Sequence, residues 1–137
     1  MSSHLTRLRV RYAETDQMGV VYYANYLVWM EVARVELCKT LGFRYKDMER
    51  EDGVLLAVIQ AECRYRYPAR FDDEVVIETS VSAASSRGVE FTYEMRCAET
   101  GRRLASGTTR HIFLNGEMEP VRLPAKYRPM FGLKGST

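Results

Sequence analysis

The segment from Tyr23 to Leu41 constrains the fold of this chain most, because it is apolar around too much of its circumference for an ordinary surface helix. Tyr26, Met30, Ala33, Leu37 and Leu41 recur at spacings of three or four, the signature of one buried helical face. Leu27, Trp29 and Val32 widen that stripe beyond what a surface helix needs. Gly42 follows as a natural C-terminal stop. Such a helix is expected to be largely enclosed. No other stretch of the sequence is a convincing long helix, so the covering has to come from strands.

Strands are what the rest of the sequence offers. Thr6–Tyr12 alternates Leu8, Val10 and Tyr12 with Arg7, Arg9 and Arg11, a short strand with one wet face. Leu55–Tyr67 reads as one long strand stopped by Pro68, and Val75, Ile77, Thr79 and Val81 define a further period of two. The cleanest alternation is Val89, Phe91, Tyr93, Met95 and Cys97 against Glu90, Thr92, Glu94 and Arg96. Glu99-Thr100-Gly101-Arg102 is a hairpin turn into Arg103–Leu114, and Asn115-Gly116 is a second turn signal. The tail, with Pro120, Pro124 and Pro129, reads as an irregular cover with at most a short helical turn. The expectation is a single α+β domain over residues 1–137, an antiparallel sheet curved around the helix. Ala105, Ser106 and Gly107 would permit close helix approach or a bulge. The free edge of such a sheet is a place for a second copy to pair.

Charge and cysteines narrow the function classes. Twenty Lys and Arg against eighteen Asp and Glu leave +2, and the arginines are scattered singly, so no nucleic-acid partner is expected. No run approaches the roughly 18 apolar residues that span a bilayer, and Met-Ser-Ser-His-Leu-Thr-Arg lacks the apolar core of a secretory signal. Cys38, Cys63 and Cys97 are odd in number and far apart, which argues for reduced, packed thiols and a cytoplasmic protein. His4 is expected in a mobile terminus and His111 stands alone in a strand, so neither supports a metal site.

The chemistry concentrates between Tyr12 and Tyr26. One carboxylate, Asp16, sits in a turn-rich loop that runs through Val20 and Val21 into the helix. A helix start carries backbone N–H groups without internal partners and a partial positive charge. A carboxylate facing such an end can attack a carbonyl, or activate water to do so, while the amides hold the developing oxyanion. On local chemistry alone, Asp16 reads first as a turn or capping residue. Gly19 fits close approach of backbone to substrate, and Asn25 either caps the helix or orients a water. Tyr22 and Tyr23 divide evenly between packing and lining an acyl pocket, whereas Tyr26, Trp29 and Met30 read as core. Glu14 is expected on the surface or paired with Arg11, and Glu31 paired with Arg34 or on the exposed helix edge.

These residues resemble a known family. Arg11-Tyr12-Ala13-Glu14-Thr15-Asp16-Gln17-Met18-Gly19-Val20-Val21-Tyr22-Tyr23-Ala24-Asn25-Tyr26, then Trp29, Glu31, Ala33 and Arg34, then Tyr67-Pro68-Ala69-Arg70-Phe71-Asp72-Asp73, are similar to the hotdog-fold acyl-CoA thioesterases of the 4-hydroxybenzoyl-CoA thioesterase type, the Tol-Pal-associated bacterial members included. The resemblance covers nearly the whole chain. It implies a five-stranded antiparallel sheet wrapped around one long helix, dimers with joined sheets that pair into tetramers, and a site at the dimer interface. It implies hydrolysis of acyl-CoA to free acid and CoA without metal or cofactor, coenzyme A entering only as part of the substrate. Asp16 falls on the family's catalytic carboxylate, Tyr23 on the residue whose backbone N–H polarises the thioester carbonyl, and Ser85-Ser86-Arg87 on the region that contacts coenzyme A phosphates. Two departures stand out: some relatives carry a His where this chain has Tyr23, and Arg87 is the only basic residue in the phosphate-contact region. An acyl-carrier-protein thioesterase and a non-catalytic acyl-binding or scaffold domain are the competing readings.

Overall fold

Helix α1, Asn25–Leu41, lies across one face of a five-stranded sheet in the computed structural model, which describes residues 3–134. The strands are β1 (Ser3–Arg9), β2 (Leu55–Tyr65), β3 (Glu74–Ala84), β4 (Gly88–Cys97) and β5 (Arg103–Leu114), in the order β1-β3-β4-β5-β2 with every neighbour antiparallel. The helix ends where Gly42 adopts φ 119° and its N–H closes onto the Cys38 and Lys39 carbonyls, the left-handed stop that glycine tolerates. β4 and β5 are joined by the expected Glu99–Arg102 turn, with Gly101 at φ 72°.

The core forms where the two periodicities meet. Tyr26, Trp29, Met30, Ala33, Leu37 and Cys38 of α1 join Ile77, Phe91, Tyr93, Met95, Leu104 and Phe113 of the sheet in one buried cluster. Leu123, Tyr127 and Phe131 of the tail close its far side, the last two from a 3-10 turn over Ala125–Phe131. The helix is less enclosed than its composition suggests. Leu27, Val28 and Val32 remain 40%, 50% and 42% exposed, because the sheet covers α1 from one side only and nothing among the described residues covers the other.

Local differences from the sequence reading have local causes. The first strand is Ser3–Arg9 rather than Thr6–Tyr12, and His4 is part of it, opposite Thr79. The chain leaves the sheet early because Tyr12–Glu14 closes into a 3-10 turn. β2 ends at Tyr65, not Tyr67, since the Arg66 and Tyr67 N–H groups both bend onto the Leu104 carbonyl. A second helix, α2 (Tyr45–Asp52), is an addition. It is eight mostly charged residues with one buried side chain, Met48, and ion pairs from Asp47 to Arg44 and Arg50. That is too short and too polar to register as an apolar period.

Gly107 lets α1 approach the sheet. A Cβ there would overlap the Met30 methyl and, on the other side, the Glu62 carbonyl oxygen. A backbone oxygen paired in β2 cannot step aside as a methionine tip can. We therefore expect Gly107→Ala to lose about 1–3 kcal/mol, read as a lower urea midpoint at unchanged slope; an unshifted midpoint rejects this close packing.

Beneath the helix the core is polar along one line. Tyr93 Oη and Thr109 Oγ1 are 2.6 Å apart, and Thr109 Oγ1 lies 2.8 Å from His111 Nε2. Arg34, itself buried, lies close enough to act on His111 electrostatically. Burial first, and the Arg34 charge second, push the His111 imidazole down to about 3. An unfolded histidine takes its proton near pH 6.5, so between about 6.5 and 3 the unfolded chain binds more protons and stability falls as pH falls. His111→Gln removes that share. Its unfolding free energy should fall less steeply than the parent's, by up to about 1.4 kcal/mol per pH unit inside the window; parallel titrations would contradict it.

Candidate active site

The residues around Asp16 are organised by Glu14. After Val10 donates to the Asp73 carbonyl at 2.9 Å, the Tyr12–Glu14 turn folds the Glu14 side chain inward. Its carboxylate accepts the Arg11 N–H at 2.8 Å and the Trp29 indole N–H at 3.0 Å. Only 5% of Glu14 is exposed, so the surface expectation is corrected, although the Arg11 guanidinium does stand 3.5 Å away. The Glu14 carbonyl takes two more donors, the Tyr22 N–H at 2.8 Å and the Asn25 amide at 3.0 Å. Asn25 is the first helical residue, and its side chain stitches the helix to this loop instead of capping it.

Asp16 is both a turn residue and an open carboxylate. Its Oδ1 accepts the Met18 N–H at 2.9 Å, its carbonyl accepts the Gly19 N–H at 3.0 Å, and its own N–H donates to Val20 at 2.9 Å. Gly19 sits at φ 80°, and a Cβ there meets nothing within 4 Å. The turn needs glycine for its left-handed backbone; it does not need it for room inside the chain. Oδ2 of Asp16 has no protein partner among the described residues.

The helix begins two residues after Tyr23, with Ala24 as the N-cap. Three N–H groups at this end are consumed by a tight turn: Asn25 donates to Tyr22 at 2.9 Å, Tyr26 to Tyr23 at 3.2 Å and Leu27 to Ala24 at 3.1 Å. The Tyr23 N–H has no acceptor among the described residues. The Tyr23 carbonyl is held from the sheet as well, by the Tyr65 hydroxyl at 3.0 Å.

Asp16 and Tyr23 line one crevice of about 270 Å³, together with Met18, Val20, Val21, Tyr26, Tyr65, Arg66, Tyr67 and Pro68. The Tyr67-Pro68-Ala69 segment is fixed across it. The Ala69 N–H donates to Tyr26 Oη at 3.1 Å and the Ala69 carbonyl accepts from Val21 at 2.9 Å, while the Arg102 guanidinium covers the Tyr67 ring at 4.0 Å. Burial raises the Tyr65 phenol above its usual range, so it remains a donor at any working pH. Tyr22 packs against Tyr23 with the rings tilted by 50° and centroids 4.8 Å apart, but stands outside the crevice lining. Tyr65 is not singled out by the sequence and Tyr67 enters only as the start of the family-like Tyr67–Asp73 block, because their place here depends on how β2 crosses the helix start.

Ser85, Ser86 and Arg87 lie elsewhere. Ser85 and Arg87 line a separate crevice of about 350 Å³ with Ile59, Gly88, Arg110 and Ile112 among others. The Ser85 hydroxyl accepts the Arg87 and Gly88 N–H groups at 3.1 and 3.3 Å, and the Ser86 carbonyl accepts from Leu123 at 2.7 Å. The Ser85 hydroxyl is thus occupied in shaping the turn, and Ser86 is tied to the tail through its backbone. Arg87 is exposed and its guanidinium has no partner among the described residues. Within one chain, the fold does not bring this turn to Asp16. Among the described residues no group of three His, Cys, Asp or Glu is placed to hold a metal ion, and no helix is long and apolar enough to cross a membrane. The three cysteines are free, and burial pushes the Cys38 thiol up to about 12.

Residues 10–131 match the model of the thioesterase-like superfamily. The Bacillus subtilis protein YneP is 41% identical over 116 residues, covering 84% of this chain and 83% of that one. The acyl-CoA thioesterase YbgC of Haemophilus influenzae is 32% identical over 125 residues, 90% of each. Among solved structures, the DHNA-CoA thioesterase of Staphylococcus aureus superposes with a TM-score of 0.88 at 33% identity, covering 96% of this chain and 87% of that one.

Proposed function

The chain belongs to the thioesterase-like superfamily and is a thioester hydrolase, and from that premise we propose that it hydrolyses acyl-CoA to a free acid and CoA with Asp16 and the Tyr23 N–H as its reacting groups. The observation that carries this reading is the shared crevice: an acid with one free oxygen and an amide with no acceptor, among apolar and aromatic walls. A thioester needs little else, because a thiolate already leaves readily. Asp16 supplies the attack, on the carbonyl itself or through a water it deprotonates. The Tyr23 N–H takes the negative charge that gathers on the carbonyl oxygen, an interaction worth about 3 kcal/mol in the transition state when such a donor is lost elsewhere. Val20 and Tyr26 flank the acyl group, and Tyr22 and Asn25 hold the loop around it.

The reading extends to a second copy of the chain. β2 has a free edge along its length, since among the described residues its only neighbour in the sheet is β5. Antiparallel pairing of two such edges would set the Tyr65 end of one strand beside the Leu55–Ile59 end of the other. Tyr65 lines the Asp16 crevice and Ile59 lines the Arg87 crevice, so a site incomplete in one protomer gains Arg87 from its partner for the CoA phosphates. A second reading follows from the turn itself. With the Ser85 hydroxyl occupied and Arg110 paired to Glu90 at 2.9 Å, Arg87 is left as the one unpaired cation of that crevice among the described residues, a light grip that suits a protein carrier as well as CoA.

One assay tests both readings: thiol release over straight-chain and aryl acyl groups, each presented on CoA and on acyl carrier protein. Turnover on CoA supports the first reading, and preference for the protein carrier supports the second. Binding without release on either carrier rejects hydrolysis.

A further inference from the structure

We infer that Tyr65, through its hydroxyl on the Tyr23 carbonyl, is a positioning residue that aims the free Tyr23 N–H at the substrate carbonyl; this rests on the proposed use of that N–H. The Tyr23 N–H lies in the Tyr22–Tyr23 peptide plane, and that plane is carried at the Tyr23 Cα, which the next plane, Tyr23–Ala24, holds from the other side. The first of these planes is tied at its Tyr22 carbonyl, which accepts Asn25 at 2.9 Å, and the Tyr22 N–H, one plane earlier, donates to Glu14 at 2.8 Å. The following plane is held by Tyr26, at a longer 3.2 Å, and by Tyr65 Oη at 3.0 Å. Both of those bonds end on one oxygen, and only Tyr65 comes from outside the helix. Remove it, and the Tyr23 residue is left to the first turn of a helix, the part that frays most readily.

The rings around Tyr65 make the hydroxyl separable from the rest of the side chain. Its ring meets Tyr26 edge-on at 5.1 Å and Tyr23 edge-on at 6.3 Å. A phenylalanine preserves both contacts and deletes the hydroxyl alone, with its bond to the Tyr23 carbonyl and its interaction with the Cys63 thiol. Tyr65 is also on β2, the strand with the free edge, so the same residue ties the geometry of the amide to the strand proposed to meet a second copy.

The experiment compares the full chain, Tyr65→Phe, Asp16→Asn and the double variant. For Tyr65→Phe we expect kcat about tenfold lower, with KM within about twofold and an unchanged melting midpoint, the scale of one lost neutral hydrogen bond. In the Asp16→Asn background, bound benzoyl-CoA labelled with carbon-13 at its thioester carbonyl reports the amide directly. The infrared carbonyl band should move down on binding, and by less when Tyr65 is also Phe. An unchanged kcat with an unchanged band, or a KM rise at constant kcat, overturns the inference. The Ala24 amide nitrogen, bonded to the Tyr23 carbonyl, is a readout without substrate. Its nitrogen-15 resonance should shift in Tyr65→Phe, and no shift overturns the inference even if the wild-type chain hydrolyses acyl-CoA. A shift in a chain that releases no thiol from any acyl-CoA leaves the hold on the peptide standing and sinks only the hydrolase reading.

Discussion

Asp16→Asn should fold like the parent and turn over thioesters about a thousandfold more slowly, a loss of about 4 kcal/mol from the transition state. The two halves of that expectation come from different oxygens. Oδ1 accepts the Met18 N–H at 2.9 Å and belongs to the turn. An asparagine oxygen accepts the same bond, so the loop, the Gly19 conformation and the bond from Asp16 N–H to Val20 are all retained. Stability should move by no more than about 0.5 kcal/mol. Oδ2 is the free atom, and in asparagine it becomes an amide nitrogen with neither the charge to attack a carbonyl nor the basicity to take a proton from water. Saturating substrate should therefore remain bound while thiol release stalls, a fall in kcat with little change in KM. Asp16→Ala is the contrasting variant, since it deletes the turn bond as well and should add a stability loss that Asp16→Asn does not show. Full turnover by Asp16→Asn removes Asp16 from the chemistry.

The contrast between those two oxygens also explains what was legible before any coordinates. The sequence reading met Asp16 with two roles, turn residue and catalytic acid, and treated them as rivals. Each is carried by its own atom. The fold was readable because it rests on periodicity: α1 follows a helical period, three of the five strands follow alternations that a linear sequence displays, and the Gly107 approach follows from a glycine in an otherwise good strand. The burial of Glu14 is not legible for the opposite reason, although its expected pairing with Arg11 is present. Its partner Trp29 is fifteen residues away, a contact made only when the helix folds back over the loop. Its bond to the Arg11 N–H, in the geometry of a capping box, is a local contact of that carboxylate. Tyr65 carries no signal, and Tyr67 only its place in the family-like Tyr67–Asp73 block, because nothing in the sequence says which tyrosine will reach the helix start. The bare outer side of α1 was missed since composition reports that a face is apolar without saying which molecule covers it.

A chain with Val58→Lys and Ile59→Lys should be a folded monomer with at least about a hundredfold lower kcat/KM. In one chain these side chains are 49% and 59% exposed, so their replacement leaves the core untouched. They lie on β2, an eleven-residue edge strand that begins Leu-Leu-Ala-Val-Ile and is irregular between Val58 and Gln60. Long apolar edges are unusual unless something pairs with them. If two copies meet edge to edge about a two-fold axis, each substitution appears twice, and four lysines face one another where apolar side chains met. Repulsion and desolvation then oppose pairing by several kcal/mol. Activity should fall with it, because the Asp16 crevice of one protomer no longer meets the partner's Arg87 and the Tyr65 strand loses its neighbour. Sedimentation and circular dichroism separate the outcomes, and Arg87→Ala supplies the control. That variant should raise KM for CoA esters without changing the sedimentation coefficient. A lysine variant that sediments as a monomer with parental kcat/KM would show that one chain suffices for catalysis and that the second crevice has no part in it.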